Sequence, residues 1–114
     1  MESAEAVSVL AALGQATRLD TFRLLVRLSS DGMAASEIAE ALSVPRNTMS
    51  SHLAILARAQ LVTSQRFGTK IIYRADLSCL KRLTAFLLEG CCGDQPELCA
   101  PMFSDILGAK PTCG

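Results

Sequence analysis

Apolar residues along this chain switch between two spacings, and the switch separates helices from a single hairpin. Residues 4 to 13 are nearly all Ala, Val and Leu, interrupted by Glu5 and Ser8. That predicts a helix apolar on more than one side, which suits a subunit contact. Gly14 ends it. A second helix is expected from about Thr17 to Ser29: Leu19, Phe22, Leu25 and Val26 recur at helical spacing, with Arg18, Arg23 and Arg27 on the other side. Asp31-Gly32 reads as a turn.

A short helix follows from about Ser36 to Leu42, with Ile38 and Leu42 four apart and Ser36 as its cap. The stretch LSVPRN is a tight connection, with Pro45 suited to the first turn of the next helix. That helix runs to about Ala59. Met49, Leu53 and Leu56 form its inner stripe, and its first turns expose Arg46, Asn47, Thr48, Ser50 and Ser51. Two helices joined so closely read as a helix-turn-helix. LVTSQRFGTKIIYRA, from Leu61 to Ala75, is rich in strand formers around a turn at Phe67-Gly68-Thr69. Its tip carries Gln65, Arg66, Thr69 and Lys70. Asp76 then caps a last helix, about Leu77 to Leu88, with Leu80, Leu83, Phe86 and Leu87 on one side. The expected fold is mainly α with a β-hairpin wing (α+β): a winged helix-turn-helix over residues 1–90, followed by a cysteine-containing tail over 91–114.

The chain has 114 residues, half of them apolar. A core this small gains from dimerisation, and part of the apolar surface is expected to face a partner. No apolar run approaches membrane-spanning length, and the first residues make a poor signal peptide. Five cysteines without export features point to a reducing cytoplasm and free thiols.

Net charge is zero, but it is unevenly spread. Residues 46 to 82 hold seven Lys or Arg and only Asp76 as an acid, while both flanks are net acidic. A basic block is usually a solvated face; one this unbalanced, on a helix-turn-helix with a wing, points to double-stranded DNA. The second helix of such a motif lies in the major groove. Arg46 suits guanine and Asn47 suits adenine; Thr48, Ser50 and Ser51 serve base or phosphate. Arg66 and Lys70 on the wing would reach phosphate or the minor groove. His52, the one histidine, is a groove contact or a packed residue at the edge of the inner stripe. Without a base beside a nucleophile, the chain is not expected to be an enzyme.

Three stretches, ALGQATRLDTFRLL (12 to 25), SEIAEALSVPRNTMSSHLAILARAQLV (36 to 62) and RFGTKIIYR (66 to 74), resemble the ArsR family of winged-helix metalloregulatory repressors. The resemblance implies a homodimer built on the first and last helices, an operator of two half-sites and release of DNA by an inducer. Family members sense arsenite, antimonite, cadmium, lead, zinc, copper or redox state. Two familiar sites are missing here. A Cys-Val-Cys-Asp-Leu arsenite site would fall on Ala34, Ala35, Ser36, Glu37 and Ile38, which hold no thiol. The zinc site of the last helix needs Asp and His, and this helix offers Asp76 without histidine.

Cys91, Cys92 and Cys99 supply a relocated site. Soft thiolates select soft ions. Arsenite takes three sulfurs in a pyramid, so it fits three thiols better than four-coordinate zinc does. The family includes arsenite sensors with a similar cluster after the last helix. Arsenite, antimonite or methylarsenite is thus the expected inducer, with no permanent cofactor. Redox sensing through the adjacent pair, or cadmium or lead recruiting Cys113 or an acid, are the alternatives within the fold; a non-DNA metal-binding module is the alternative outside it. Cys79 reads as a small buried apolar residue.

Overall fold

The computed structural model describes residues 1–28 and 31–89. Five helices and three strands follow in the order α1 (Ser3–Leu13), α2 (Ala16–Leu28), β1 (Met33–Ala34), α3 (Ala35–Ala41), α4 (Arg46–Arg58), β2 (Val62–Phe67), β3 (Lys70–Ala75) and α5 (Leu77–Leu87). This is the winged helix-turn-helix that the apolar spacing predicts. The cysteine-containing tail expected over 91–114 lies outside the described residues.

The core forms where the helices bring their apolar stripes together. Leu25 of α2, Ile38 of α3, and Met49, Leu53 and Leu56 of α4 are all fully buried, with Leu61 just after α4. The inner stripe expected for α4 is therefore correct in all three positions. On α1, Ala6, Val9 and Ala12 face inward, while Val7 and Leu10 are exposed. That matches a helix apolar on two sides. On α5, Cys79 and Leu83 are buried, Leu80 and Phe86 are half-buried, and Leu87 is 55% exposed, so Leu87 leaves the expected inner side.

The inner face of α2 differs from its expected one. Leu19 is 41% exposed, and the fully buried positions are Thr21, Phe22 and Leu25. Arg18 is half-buried rather than on the outer side. A helix presents about 100° per residue. Turning α2 toward both α1 and α4 centres its inner face on 18, 21, 22 and 25, and Leu19 rotates out. Thr21 tolerates burial because its hydroxyl donates to the Thr17 carbonyl at 2.8 Å.

The sheet is antiparallel in the order β1-β3-β2. The wing hairpin pairs Val62 with Ala75 through to Phe67 with Lys70, which leaves Gly68 and Thr69 as the turn. Gly68 takes a φ of 64°, a region where glycine has no steric penalty. Strand β1 is too short to leave a periodic signal, and it exists because Met33 and Ala34 pair with Tyr73 and Ile72. It also moves the start of α3. Ala34 is still extended, so the helix begins at Ala35, and Ser36 lies inside the first turn instead of capping it. The Glu37 carboxylate accepts from the Ala34 N–H at 3.0 Å. Pro45 likewise sits just before α4, at its cap, in an extended conformation. Asp76 caps α5 as expected, accepting from the Ser78 N–H at 3.0 Å.

Gly32 enters β1 with a φ of 71°, and a Cβ there would lie 2.6 Å from the Tyr73 carbonyl oxygen and 2.7 Å from Ile72 Cγ2. Both the backbone angle and the space exclude a side chain. Gly32→Ala is expected to lower stability by about 2 kcal/mol or more. The measurement is the urea midpoint, with the slope of the transition unchanged.

Candidate nucleic-acid interface

Burying Met49, Leu53 and Leu56 forces the opposite side of α4 outward. Arg46, Asn47, Thr48, Ser50 and Ser51 are all exposed on its first turns. Local bonds already engage some of their polar atoms. The Thr48 N–H donates to Asn47 Oδ1 at 2.9 Å, and the Ser51 hydroxyl donates to the Asn47 carbonyl at 3.3 Å. Pro45 provides no side-chain cap, so the positive end of the α4 dipole is presented to solvent beside Arg46.

The wing stands beside this surface. Ser50 of α4 and Thr69 and Lys70 of the wing line one cleft of about 280 Å³ with Ser36 and Tyr73. The fold thus brings Ser50 and Lys70 to one cleft. Thr69 of the wing tip joins them with Ser36 and Tyr73; no motif marks these last two for the cleft, because only the packing of α3 against the wing places them there. Arg66 is also exposed, but it pairs across the hairpin with Ile71, whereas Lys70 pairs with Phe67. Adjacent pairs point to opposite faces of a hairpin, so Arg66 and Lys70 project on different sides. Arg74, absent from the expected set, donates to Gln65 Oε1 at 3.3 Å and lies 6.0 Å from the centre of the exposed Phe67 ring.

His52 is half-buried on the flank of α4, and its Nδ1 lies 3.3 Å from Arg18 Nη1. Cys91, Cys92 and Cys99 lie outside the described residues, as does Cys113. Among the described residues, no three His, Cys, Asp or Glu side chains converge on a position for a metal ion. Nor is any described helix long and apolar enough to cross a membrane.

A winged helix-turn-helix with a polar, basic reading face is the architecture of a DNA-binding regulator. Known proteins agree. A helix-turn-helix domain family matches residues 13–65. The structure of an ArsR-like transcriptional regulator from Rhodococcus sp. RHA1 is 33% identical, covers 90% of this chain and 92% of its own, and superposes with a TM-score of 0.65. The AntR antimony-specific transcriptional repressor is 30% identical over 75% of this chain and 77% of its own, with a TM-score of 0.59. The HTH-type transcriptional regulator KmtR of Mycobacterium tuberculosis is 36% identical over 77 residues, 68% of this chain; the match spans 57% of KmtR, just over half its length. This chain belongs to the ArsR-like family of transcriptional regulators. It is a regulator and not an enzyme.

Cys79 is the described thiol, and it is buried as expected. Its Sγ donates to the Ala59 carbonyl at 3.6 Å. Burial raises its pKa above the ordinary thiol range, opposed in part by the Arg82 charge. A raised thiol pKa means the folded state holds the proton more tightly than the unfolded chain. The contribution of Cys79 to stability is therefore intact at neutral pH and declines as pH rises through the thiol range. At pH 8, a thiolate-directed alkylating agent is expected to spare Cys79 in the folded protein and to modify it in urea. Peptide mass mapping reads this directly, and labelling at the same rate in both conditions would contradict the burial argument.

Proposed function

We propose that the protein is a homodimeric transcriptional repressor that binds operator DNA and releases it when trivalent arsenic occupies Cys91, Cys92 and Cys99. The observation that carries the DNA half is the exposed polar start of α4 beside the basic wing. In this reading α4 lies in the major groove. Arg46 reads guanine, Asn47 reads adenine, and Thr48, Ser50 and Ser51 contact base edges or phosphate. Arg66 and Lys70 contact phosphate or the minor groove, one from each side of the wing.

A second copy would place two α4 helices about 34–36 Å apart, one turn of DNA. Support for the dimer comes from Val7 and Leu10 on α1 and Leu87 on α5, which remain 63%, 45% and 55% exposed. Three large apolar side chains left open at the first and last helices suit burial against a copy of the same surface.

The inducer follows from the donor set: three thiols, with neither the α3 thiol pair nor a histidine on α5. Such a set fits a pyramidal trivalent arsenical or antimonial. The kinship with an antimony-specific repressor supports the same class of ion. The trio follows α5 directly, so ligation would act on the helix that meets α1. DNA and inducer would then oppose each other reciprocally, with a coupling of about 1–3 kcal/mol for a typical system and nearer 5.5 kcal/mol for a complete switch. An inducer site of free thiols needs a reducing compartment, so this reading puts the protein in the cytoplasm.

Fluorescence anisotropy on the DNA upstream of the protein's own coding sequence tests both halves. Arg46→Ala and Lys70→Ala are each expected to weaken binding, and loss of a phosphate contact at Lys70 should reduce the salt slope by about one. Arsenite, methylarsenite or antimonite should release the DNA, and zinc should not. Cys91→Ser and Cys92→Ser should hold DNA through the same titration. Release by arsenite from those variants sinks the thiol assignment. Release by peroxide alone moves the trio to redox sensing, and no binding at low salt removes the repressor reading.

A further inference from the structure

The Arg18 guanidinium joins three helices. Its Nε donates to the Ala12 carbonyl at 2.6 Å and its Nη2 to the Ala11 carbonyl at 3.4 Å, both at the end of α1. Its Nη1 faces His52 Nδ1 on α4 at 3.3 Å. Arginine has only donors, so Nδ1 is the acceptor and the ring proton sits on Nε2. The charge also lies at the negative end of the α1 dipole, where a cation is favoured. Beside this bridge runs a cleft of about 210 Å³ bordered by Ser8, Ala11, Ile55 and Arg58. The side chain thus spans a place where α1 and α4 leave space between them.

A second contact lies one turn away. Thr21 Oγ1 is 3.7 Å from Met49 Sδ. Its single proton goes to Thr17, so the sulfur is a packing neighbour of the oxygen. Arg18 with His52 and Thr21 with Met49 are three residues apart on α2 and, in reverse order, three apart on α4. Two such rungs define the axial register of antiparallel helices. Sliding α4 by one residue is a 1.5 Å shift that would misplace both.

We infer that Arg18, acting through His52, is a positioning residue for α4: it ties the reading helix to the end of α1 and so sets how far Arg46 and Asn47 project. This rests on the DNA-binding reading, and of the two roles open to His52, groove contact or packed residue, it takes the second and gives it a purpose. Support of this kind acts on sequence discrimination, because base contacts need accurate placement and phosphate contacts tolerate a shift.

The test compares upstream DNA with random DNA of equal length, using the full chain. His52→Leu, similar in bulk but without an acceptor, is expected to keep its melting temperature and its affinity and salt slope on random DNA. It should lose roughly tenfold on upstream DNA, the scale of one misplaced base contact. His52→Asn, whose Oδ1 can accept in place of Nδ1, should recover most of that loss. Arg18→Lys keeps the charge without the fork; it should reproduce the His52→Leu defect, and the double variant should be no worse than either. Equal losses on both DNAs with a shallower salt slope would make His52 a direct phosphate contact and overturn the inference. Unchanged discrimination in His52→Leu, or no recovery with Asn, would also overturn it. If the unaltered protein shows no preference for upstream DNA, the DNA-binding reading fails instead.

Discussion

The structure depends on one constraint: α4 must bury one stripe completely while keeping the opposite side bare. Met49, Leu53 and Leu56 are each fully buried. Burial of a Leu or Met side chain contributes about 1.5–3 kcal/mol, so three in one helix hold it firmly to the domain. The same rotation leaves Arg46, Asn47, Thr48, Ser50 and Ser51 in solvent. Stability and surface chemistry are two consequences of a single helical phase. A residue that shifted that phase would lose core packing and reading face together.

The surrounding elements refine the placement. Strand β1 ties the start of α3 to the wing through its pairing with β3. Asp76 donates its N–H to the Leu61 carbonyl at 2.8 Å and caps α5 with its carboxylate, so the wing's exit and the last helix are fixed to the residue that enters β2. Arg82 on α5 reaches Gln60 Oε1 at 3.2 Å and Glu5 Oε1 at 3.4 Å. These are exposed contacts and hold little energy, but they lie between the end of α4, α5 and α1.

Family membership narrows the chemistry without supplying the ligand. The two positions that match the thiols of the Cys-Val-Cys pattern hold Ala34 and Ser36, and here Ala34 is a strand residue packed into the core. A buried alanine paired in a sheet has no donor to offer. Cys79 is enclosed among apolar residues and kept protonated by burial, so it is a poor ligand for a soft ion, and the proposed inducer site rests on Cys91, Cys92 and Cys99.

The order of elements, the hairpin turn, the cap at Asp76 and the stripe of α4 were legible in the sequence alone. Each is a local signal: a helical spacing, a glycine between strand formers, an acid before an apolar run. The exposed α4 residues and the basic wing followed from the same patterns. The inner face of α2, the two-residue strand β1 and the cap of α3 were not legible. Arg18 read as a surface cation because its three partners, Ala11, Ala12 and His52, lie on two other helices. Leu19 read as core because spacing alone cannot tell which of two adjacent helix faces meets more protein. Local pattern determined what each segment is. Tertiary packing decided which way each helix turns, because burial depends on neighbours distant in the chain, such as Arg18 and His52, 34 positions apart.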